Sequence, residues 1–246
     1  MGLTDRIAQS FMYKTLRNIY GPEKNILKKE CGSIYVSSSA IGIFNWKITG
    51  ISNNDKYIKR LGLISYDDNG NETGIYTMAT RGDLNEQKNV TVIIPLCRDC
   101  FGKTWIVFQE EARPIDLARR GRQARLISFP AGIIGDEESF KNETANESAK
   151  RELKEETGFC SDKITPLNKY PIMTSSGLTD ESTFFYTADI SDFKFISEPL
   201  TDGDVTRGWH FVPAKNISKW ISDIERYEKI PSGQTLSALY LLKTNE

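Results

Sequence analysis

Histidine is almost missing from this 246-residue chain: His210 is the only one. A Ser-His-Asp or Cys-His relay would have to run through it. It sits in the apolar stretch Gly208-Trp209-His210-Phe211-Val212, which reads as a strand interior and favours a structural histidine. Cysteine is also scarce. Four residues, Cys31, Cys97, Cys100 and Cys160, are too few for a disulfide scaffold of this length. Cys97 and Cys100 form one CxxC, but a zinc ribbon needs a second pair, so both read as turn residues. No run approaches ~18 uninterrupted apolar residues, which excludes a helix spanning a membrane. The first twenty residues carry Asp5, Arg6, Lys14 and Arg17 and have no apolar centre, which argues against a secretory signal and for a cytoplasmic protein. Net charge is −1, so no global field draws nucleic acid or an anionic membrane, and neither is expected as a partner. Any anion must be held by a local cluster.

What is present is a core and a mixed element pattern. The hydrophobic fraction of 39% suffices for a packed interior. Leu3, Ile7, Phe11, Leu16 and Ile19 recur at near-helical intervals and predict an amphipathic helix over 4–19, ended by Gly21-Pro22. Residues 33–36, 42–48, 61–66 and 74–78 read as strands, the last two joined by the turn Asp67-Asp68-Asn69-Gly70-Asn71. Strands follow at 90–96, 104–108, 126–129, 184–188 and 208–212, and helices at 145–157, 217–227 and 232–242. This interleaving predicts an α/β or α+β class. The polar stretch 81–88 is the expected boundary between an N-terminal helix and β-rich extension (1–88) and a second unit (89–246).

The chemistry is concentrated in one helix. Thr144 followed by Glu147 is a capping box, so the helix begins near Ala145, and Gly158 suits the left-handed residue that ends it. At about 100° per residue, Glu152, Glu155 and Glu156 share one face. Three carboxylates on one face repel unless a cation lies among them, and their hard oxygens suit Mg²⁺, or Mn²⁺ in its place. A solvated acidic face balanced by Lys150, Arg151 and Lys154 is the bland alternative.

Spacing decides against that alternative. Glu143, seven residues, Arg151-Glu152-Leu153, then Glu155-Glu156, Gly158 and Phe159 match E-x7-R-E-U-x-E-E-x-G-U, where U is a bulky apolar residue. Six fixed residues at roughly one in fifteen give a chance match of about one in ten million per starting point. The pattern is the greater part of the Nudix box, and the chain resembles the Nudix hydrolases. The flanks are similar to the branch acting on ADP-ribose and related nucleoside diphosphate sugars. They comprise Ser128-Phe129-Pro130-Ala131-Gly132 before the box, the segment ending in Arg113-Pro114, the loop Ser176-Gly177-Leu178-Thr179-Asp180-Glu181, and the tail around Trp220 and 235–239.

The resemblance implies an α/β/α sandwich with a mixed sheet, and a small-molecule nucleoside diphosphate substrate cleaved at its pyrophosphate. It implies metal ligands in Glu152, Glu155, Glu156 and the backbone carbonyl of Ala131. Glu181 becomes the candidate general base and Arg113 a phosphate contact. Arg151 is expected to pair with Glu143 or a neighbouring acid and hold the carboxylates in place. Arg119, Arg120, Arg122 and Arg125 offer either attraction for an anionic substrate or a solvated loop face. Tyr76 and Trp46 are candidates to stack on the nucleoside, although core packing is the favoured reading of each. By the same resemblance the extension would form a homodimer interface.

One departure stands out. The family has five residues between the box glycine and the first glutamate; here ten separate Gly132 from Glu143. Glu138 would restore the first spacing and break the second. The capping box favours Glu143, with a loop insertion before it, which is thermodynamically inexpensive.

Overall fold

A computed structural model describes residues 2–22, 24–37, 58–81, 87–113, 118–120, 125–196, 205–225 and 229–245. The expected strand over 42–48, with Trp46, and the basic residue Arg122 lie outside the described residues.

In chain order the strands are β1 (Ile26–Lys28), β2 (Ile34–Ser37), β3 (Lys59–Tyr66), β4 (Glu72–Thr80), β5 (Asn89–Arg98), β6 (Thr104–Ala112), β7 (Leu126–Ser128), β8 (Ala131–Ile133), β9 (Ile164–Pro166), β10 (Ile172–Met173), β11 (Ser182–Asp189), β12 (Val205–Pro213) and β13 (Ile230–Pro231). The helices are α1 (Leu3–Tyr20), α2 (Ala145–Thr157), α3 (Ile217–Glu225) and α4 (Gly233–Thr244).

Eleven strands form one mixed sheet whose main path runs β1-β2-β12-β6-β5-β11-β10. β5 and β11 are parallel, with Ser182 opposite Asn89. β6 runs antiparallel to both β5 and β12. Successive residues of the central strands serve opposite faces. Trp105, Val107 and Trp209 pack with Met12 and Leu16 of α1 and Ala149 and Leu153 of α2. Ile106, Phe108 and Val212 pack with Trp220 and Ile224 of α3 and Ala238 of α4. Because helices cover both faces, Val92, Ile93 and Ile94 are all buried, which explains the unbroken apolar run of β5. The result is the expected α/β/α sandwich. Among the described residues no helix is long and apolar enough to cross a membrane.

Three local expectations need correction. α1 exists, but it buries Ala8, Met12, Leu16 and Tyr20, while Leu3, Ile7 and Phe11 stay exposed. The choice of face is tertiary: Gln9 on the buried side donates to the carbonyls of Lys29 (3.2 Å) and Ser33 (3.0 Å), anchoring it over β2. Cys97 is no turn residue; it is fully buried near the end of β5, whereas Cys100 is exposed in the turn. The segment 34–37 does not stay with the other extension strands. β2 pairs with β12, Val36 opposite Trp209, and widens the central sheet. β3 and β4 form a separate two-stranded sheet, closed by Asp67, which accepts from the backbone N–H groups of Asn69 and Asn71.

Candidate active site

α2 starts as its sequence dictates. Thr144 accepts from the Glu147 N–H at 3.3 Å, the Glu147 carboxylate returns to the Thr144 N–H at 2.8 Å, and Gly158 ends the helix at φ 76°. That phase puts Arg151 at the centre of a carboxylate cluster. Its guanidinium donates to Glu143 (Nε 3.1 Å, Nη2 2.8 Å), Glu152 (2.6 Å), Glu155 (3.0 Å) and the Ile133 carbonyl (3.2 Å). The ring of Phe140 lies 4.7 Å from its Cζ. Burial opposes the charge of Arg151, but the Glu143 hydrogen bonds and the Glu152 carboxylate outweigh it and raise its pKa. Glu143 also accepts from the Gly135 N–H at 2.9 Å. Glu138, the alternative box residue, is 89% exposed, and its ion pair among the described residues is with Lys141. Phe140, in the segment between Gly132 and Glu143, folds back over Arg151.

Glu152 and Glu156 turn towards the strand preceding the box. The Ala131 N–H donates to Glu156 Oε2 at 3.3 Å. Gly132 leaves room that Glu152 uses: a Cβ there would lie 1.7 Å from Glu152 Oε1. Burial, together with the neighbouring Glu155 carboxylate, pushes Glu152 up to about 7 despite Arg151. Burial, reinforced by Glu111 and Glu152, pushes Glu156 well above the usual carboxylate range. Glu111, buried near the end of β6, was not singled out by sequence reasoning. The signal was available: Glu110 and Glu111 are consecutive acids at the end of a strand whose centre, Trp105 to Phe108, is apolar, so one must face each helical layer.

Arg113 follows directly after β6 and pairs with Glu111 (3.3 Å), at the margin of this acidic group. Glu181 immediately precedes β11, and the register Ser182 opposite Asn89 and Val90 opposite Ile133 puts it at the same end of the sheet as β8. It pairs with Arg81 at 3.2 Å and lines a cleft of about 300 Å³ with Thr80, Arg81, Asp180 and Gln234. No helix glutamate is among the described lining residues of that cleft. Arg81, also missed by sequence reasoning, follows β4. There the hairpin clasps the Glu181 loop: Ala79 N–H to the Leu178 carbonyl (2.8 Å), Thr80 Oγ1 to Asp180 (2.8 Å) and Tyr76 OH to the Gly177 carbonyl (2.7 Å). Tyr76 is half-exposed, so it is not the core residue its type suggested. Arg125 joins neither site; its guanidinium pairs with buried Glu110 on the opposite face of the sheet.

Burial, reinforced by neighbouring carboxylates, raises Glu152 and Glu156 above the usual carboxylate range, and the Gly132 cradle brings Glu152 against the 131–132 backbone. Closely spaced carboxylate oxygens of this kind fit a hard cation, which offsets the repulsion that burial amplifies. Among the described residues no group of three or more His, Cys, Asp or Glu side chains is placed, as it stands, to hold a metal ion. Arg151 engages oxygens of Glu152 and Glu155, so loading the site requires these two to redirect.

A family model of the NUDIX domain matches residues 89–230. A crystal structure of an ADP compounds hydrolase is similar over 90% of this chain and 92% of that chain, with a TM-score of 0.50 and 16% sequence identity. No curated protein matches the sequence.

Proposed function

The chain belongs to the Nudix family, and we propose that it hydrolyses the pyrophosphate of ADP-ribose or a similar nucleoside diphosphate sugar to a nucleoside monophosphate and a sugar phosphate. The observation that carries the proposal is the Arg151 hub, which braces Glu143, Glu152 and Glu155 while Glu152 and Glu156 press against Ala131 and Gly132. The ADP compounds hydrolase of the same fold supports the substrate class.

Glu152, Glu155, Glu156 and the Ala131 carbonyl would hold Mg²⁺ or Mn²⁺. Such an ion offsets pyrophosphate charge and lowers the pKa of a bound water. Arg151 keeps the acids in register through charge-assisted hydrogen bonds. Arg113 binds a phosphate oxygen at the edge of the group. Glu181 takes a proton from the attacking water while the bond from phosphorus to the bridging oxygen breaks. Arg81 and the hairpin hold the Glu181 loop. Tyr76, half-exposed beside that loop, offers a ring face to the nucleoside, and Trp46 is proposed for the same pocket. The exposed Leu63, Ile64 and Ile75 of the hairpin would be covered in a homodimer.

The test is a panel of nucleoside diphosphate derivatives incubated with Mg²⁺, Mn²⁺ or excess chelator, with products separated by chromatography. Cleavage of ADP-ribose to AMP and ribose 5-phosphate, abolished by chelator, is expected. Preference for a dinucleotide or coenzyme pyrophosphate would move the substrate assignment, and full activity in chelator would remove the metal site.

A further inference from the structure

The segment between Gly132 and Glu143 is tied down along its length. The Ile134 N–H donates to the Asn89 carbonyl at 2.9 Å, and Lys88 Nζ reaches the Gly135 carbonyl at 3.3 Å. Gly135 has φ 66°, and a Cβ there would lie 3.1 Å from the Lys141 carbonyl oxygen, so the segment doubles back on itself. On the return, the Phe140 N–H donates to the Glu137 carbonyl at 3.0 Å, and the Phe140 carbonyl accepts from the Glu143 N–H at 2.8 Å. The Glu143 carboxylate in turn accepts from the Gly135 N–H (2.9 Å) and from Arg151. These bonds fix the place of Phe140 relative to Glu143. Its ring is half-buried and stands outside both hydrophobic cores. What it meets is Arg151, whose guanidinium lies over the ring with Cζ 4.7 Å from the centroid.

The donors of Arg151 divide into two groups. Nε and Nη2 face the segment before α2: they reach Glu143 at 3.1 and 2.8 Å, the Ile133 carbonyl at 3.2 Å and Asp136 at 3.6 Å. Nη1 faces two of the acids proposed as ligands, Glu152 at 2.6 Å and Glu155 at 3.0 Å. A divalent ion that takes oxygens of Glu152 and Glu155 has to displace the Nη1 contacts alone. An arginine free to follow those carboxylates would stay in competition with the ion; one anchored on its other edge would not. The N–H donors of a guanidinium lie in its plane, so hydrogen bonds along one edge leave it free to tilt. A ring against its face opposes that tilt. The ring quadrupole attracts the cation, and the ring keeps water from one side of the Glu143 pair.

We propose that Phe140 is a positioning residue of the acidic site: its ring pins Arg151 to Glu143, so that Glu152 and Glu155 can turn to a divalent ion without Arg151 following. The assignment rests on the metal reading proposed above. It gives the segment between Gly132 and Glu143 a part in metal loading, although none of its side chains is proposed as a ligand.

The test compares the whole chain with its Phe140→Ala, Phe140→Leu and Phe140→Tyr variants, which should all fold because Phe140 lies outside both cores. In ¹⁵N-labelled protein held in chelator, the Arg151 Nε–H is identified by its loss in Arg151→Lys, and its exchange with water is measured by NMR. Phe140→Ala should exchange about three- to tenfold faster than wild type. Phe140→Leu keeps apolar bulk without a π face and should behave like Phe140→Ala, whereas Phe140→Tyr should stay near wild type. In a second measurement, free Mn²⁺ is followed by EPR during a titration. Phe140→Ala and Phe140→Leu should bind Mn²⁺ about three- to tenfold more weakly, and Phe140→Tyr should restore the affinity. Unchanged exchange in Phe140→Ala, unchanged Mn²⁺ affinity beside faster exchange, or wild-type behaviour of Phe140→Leu would each overturn the proposal. A wild-type protein that binds no Mn²⁺ would remove the metal reading instead, and the metal-free exchange would then decide alone whether Phe140 pins Arg151.

Discussion

Gly132 and Glu152 share one space: a Cβ on Gly132 would lie 1.7 Å from Oε1 and 2.0 Å from Cδ of Glu152. The obstructing atoms are the far end of a flexible side chain, so Gly132→Ala should fold by turning Glu152 aside. The expected outcome is a change in unfolding midpoint of no more than about 1 kcal/mol, with activity reduced at least about tenfold and a higher Mg²⁺ requirement. Metal titrations of activity beside thermal melts check this. Unchanged metal dependence would mean that Glu152 is not a ligand.

Glu143 and Glu138 separate the two registers of the box. Glu143→Gln removes the charge that Arg151 and the Gly135 N–H both address, and should cost about 1–3 kcal/mol as well as most activity. Glu138→Gln changes an exposed side chain whose described partner is Lys141, and both stability and turnover should stay near wild type. Urea unfolding and kcat for the two variants decide; a large loss in Glu138→Gln alone would reverse the register.

The acidic helix α2 was legible because its signals are local. A capping box, a terminal glycine and glutamates at helical spacing need no knowledge of the rest of the chain. The face of α1 was not legible, since it depends on Gln9 reaching two carbonyls twenty and more residues away. Nor was the role of Arg81 beside Glu181, which are one hundred positions apart and meet through a hairpin clasped to a loop. The roles of Glu110 and Glu111 were half visible. Two acids in a buried strand announce that each needs a partner, but only the sheet shows that one joins the acidic cluster and the other joins His210, Lys229 and Arg125.

His210 and Glu110 make stability fall on acidification. Burial lowers the His210 pKa below its ordinary value near 6.5, so the unfolded chain binds that proton more readily. The contribution of neutral His210 is complete above about pH 6.5 and is lost as pH falls through its folded value. Glu110 is also depressed, so its contribution persists above the ordinary carboxylate range and fades only under stronger acid. Melting temperature should drop between pH 7.5 and 5.5, and His210→Gln should be less stable at pH 7.5 but flatter across that interval. A wild-type midpoint that rises towards pH 5.5 would contradict the sign.

Glu181 carries the last prediction. If the helix glutamates hold metal, they are poor proton acceptors, and a separate carboxylate must serve the attacking water. Glu181 stands just before β11 beside Arg81, on a loop that Ala79, Thr80 and Tyr76 hold in place. Glu181→Gln should lower kcat by about 10²–10⁴-fold with a much smaller change in KM, and the deficit should narrow at high pH, where hydroxide replaces the base. Arg81→Ala keeps the carboxylate but loosens its placement. Its loss of kcat should be smaller, about tenfold, and should not narrow at high pH. Steady-state pH profiles of both variants distinguish the roles. If Glu181→Gln keeps wild-type kcat where the chemical step limits turnover, the base is another residue, and the Arg81 contact is a structural tie for the loop.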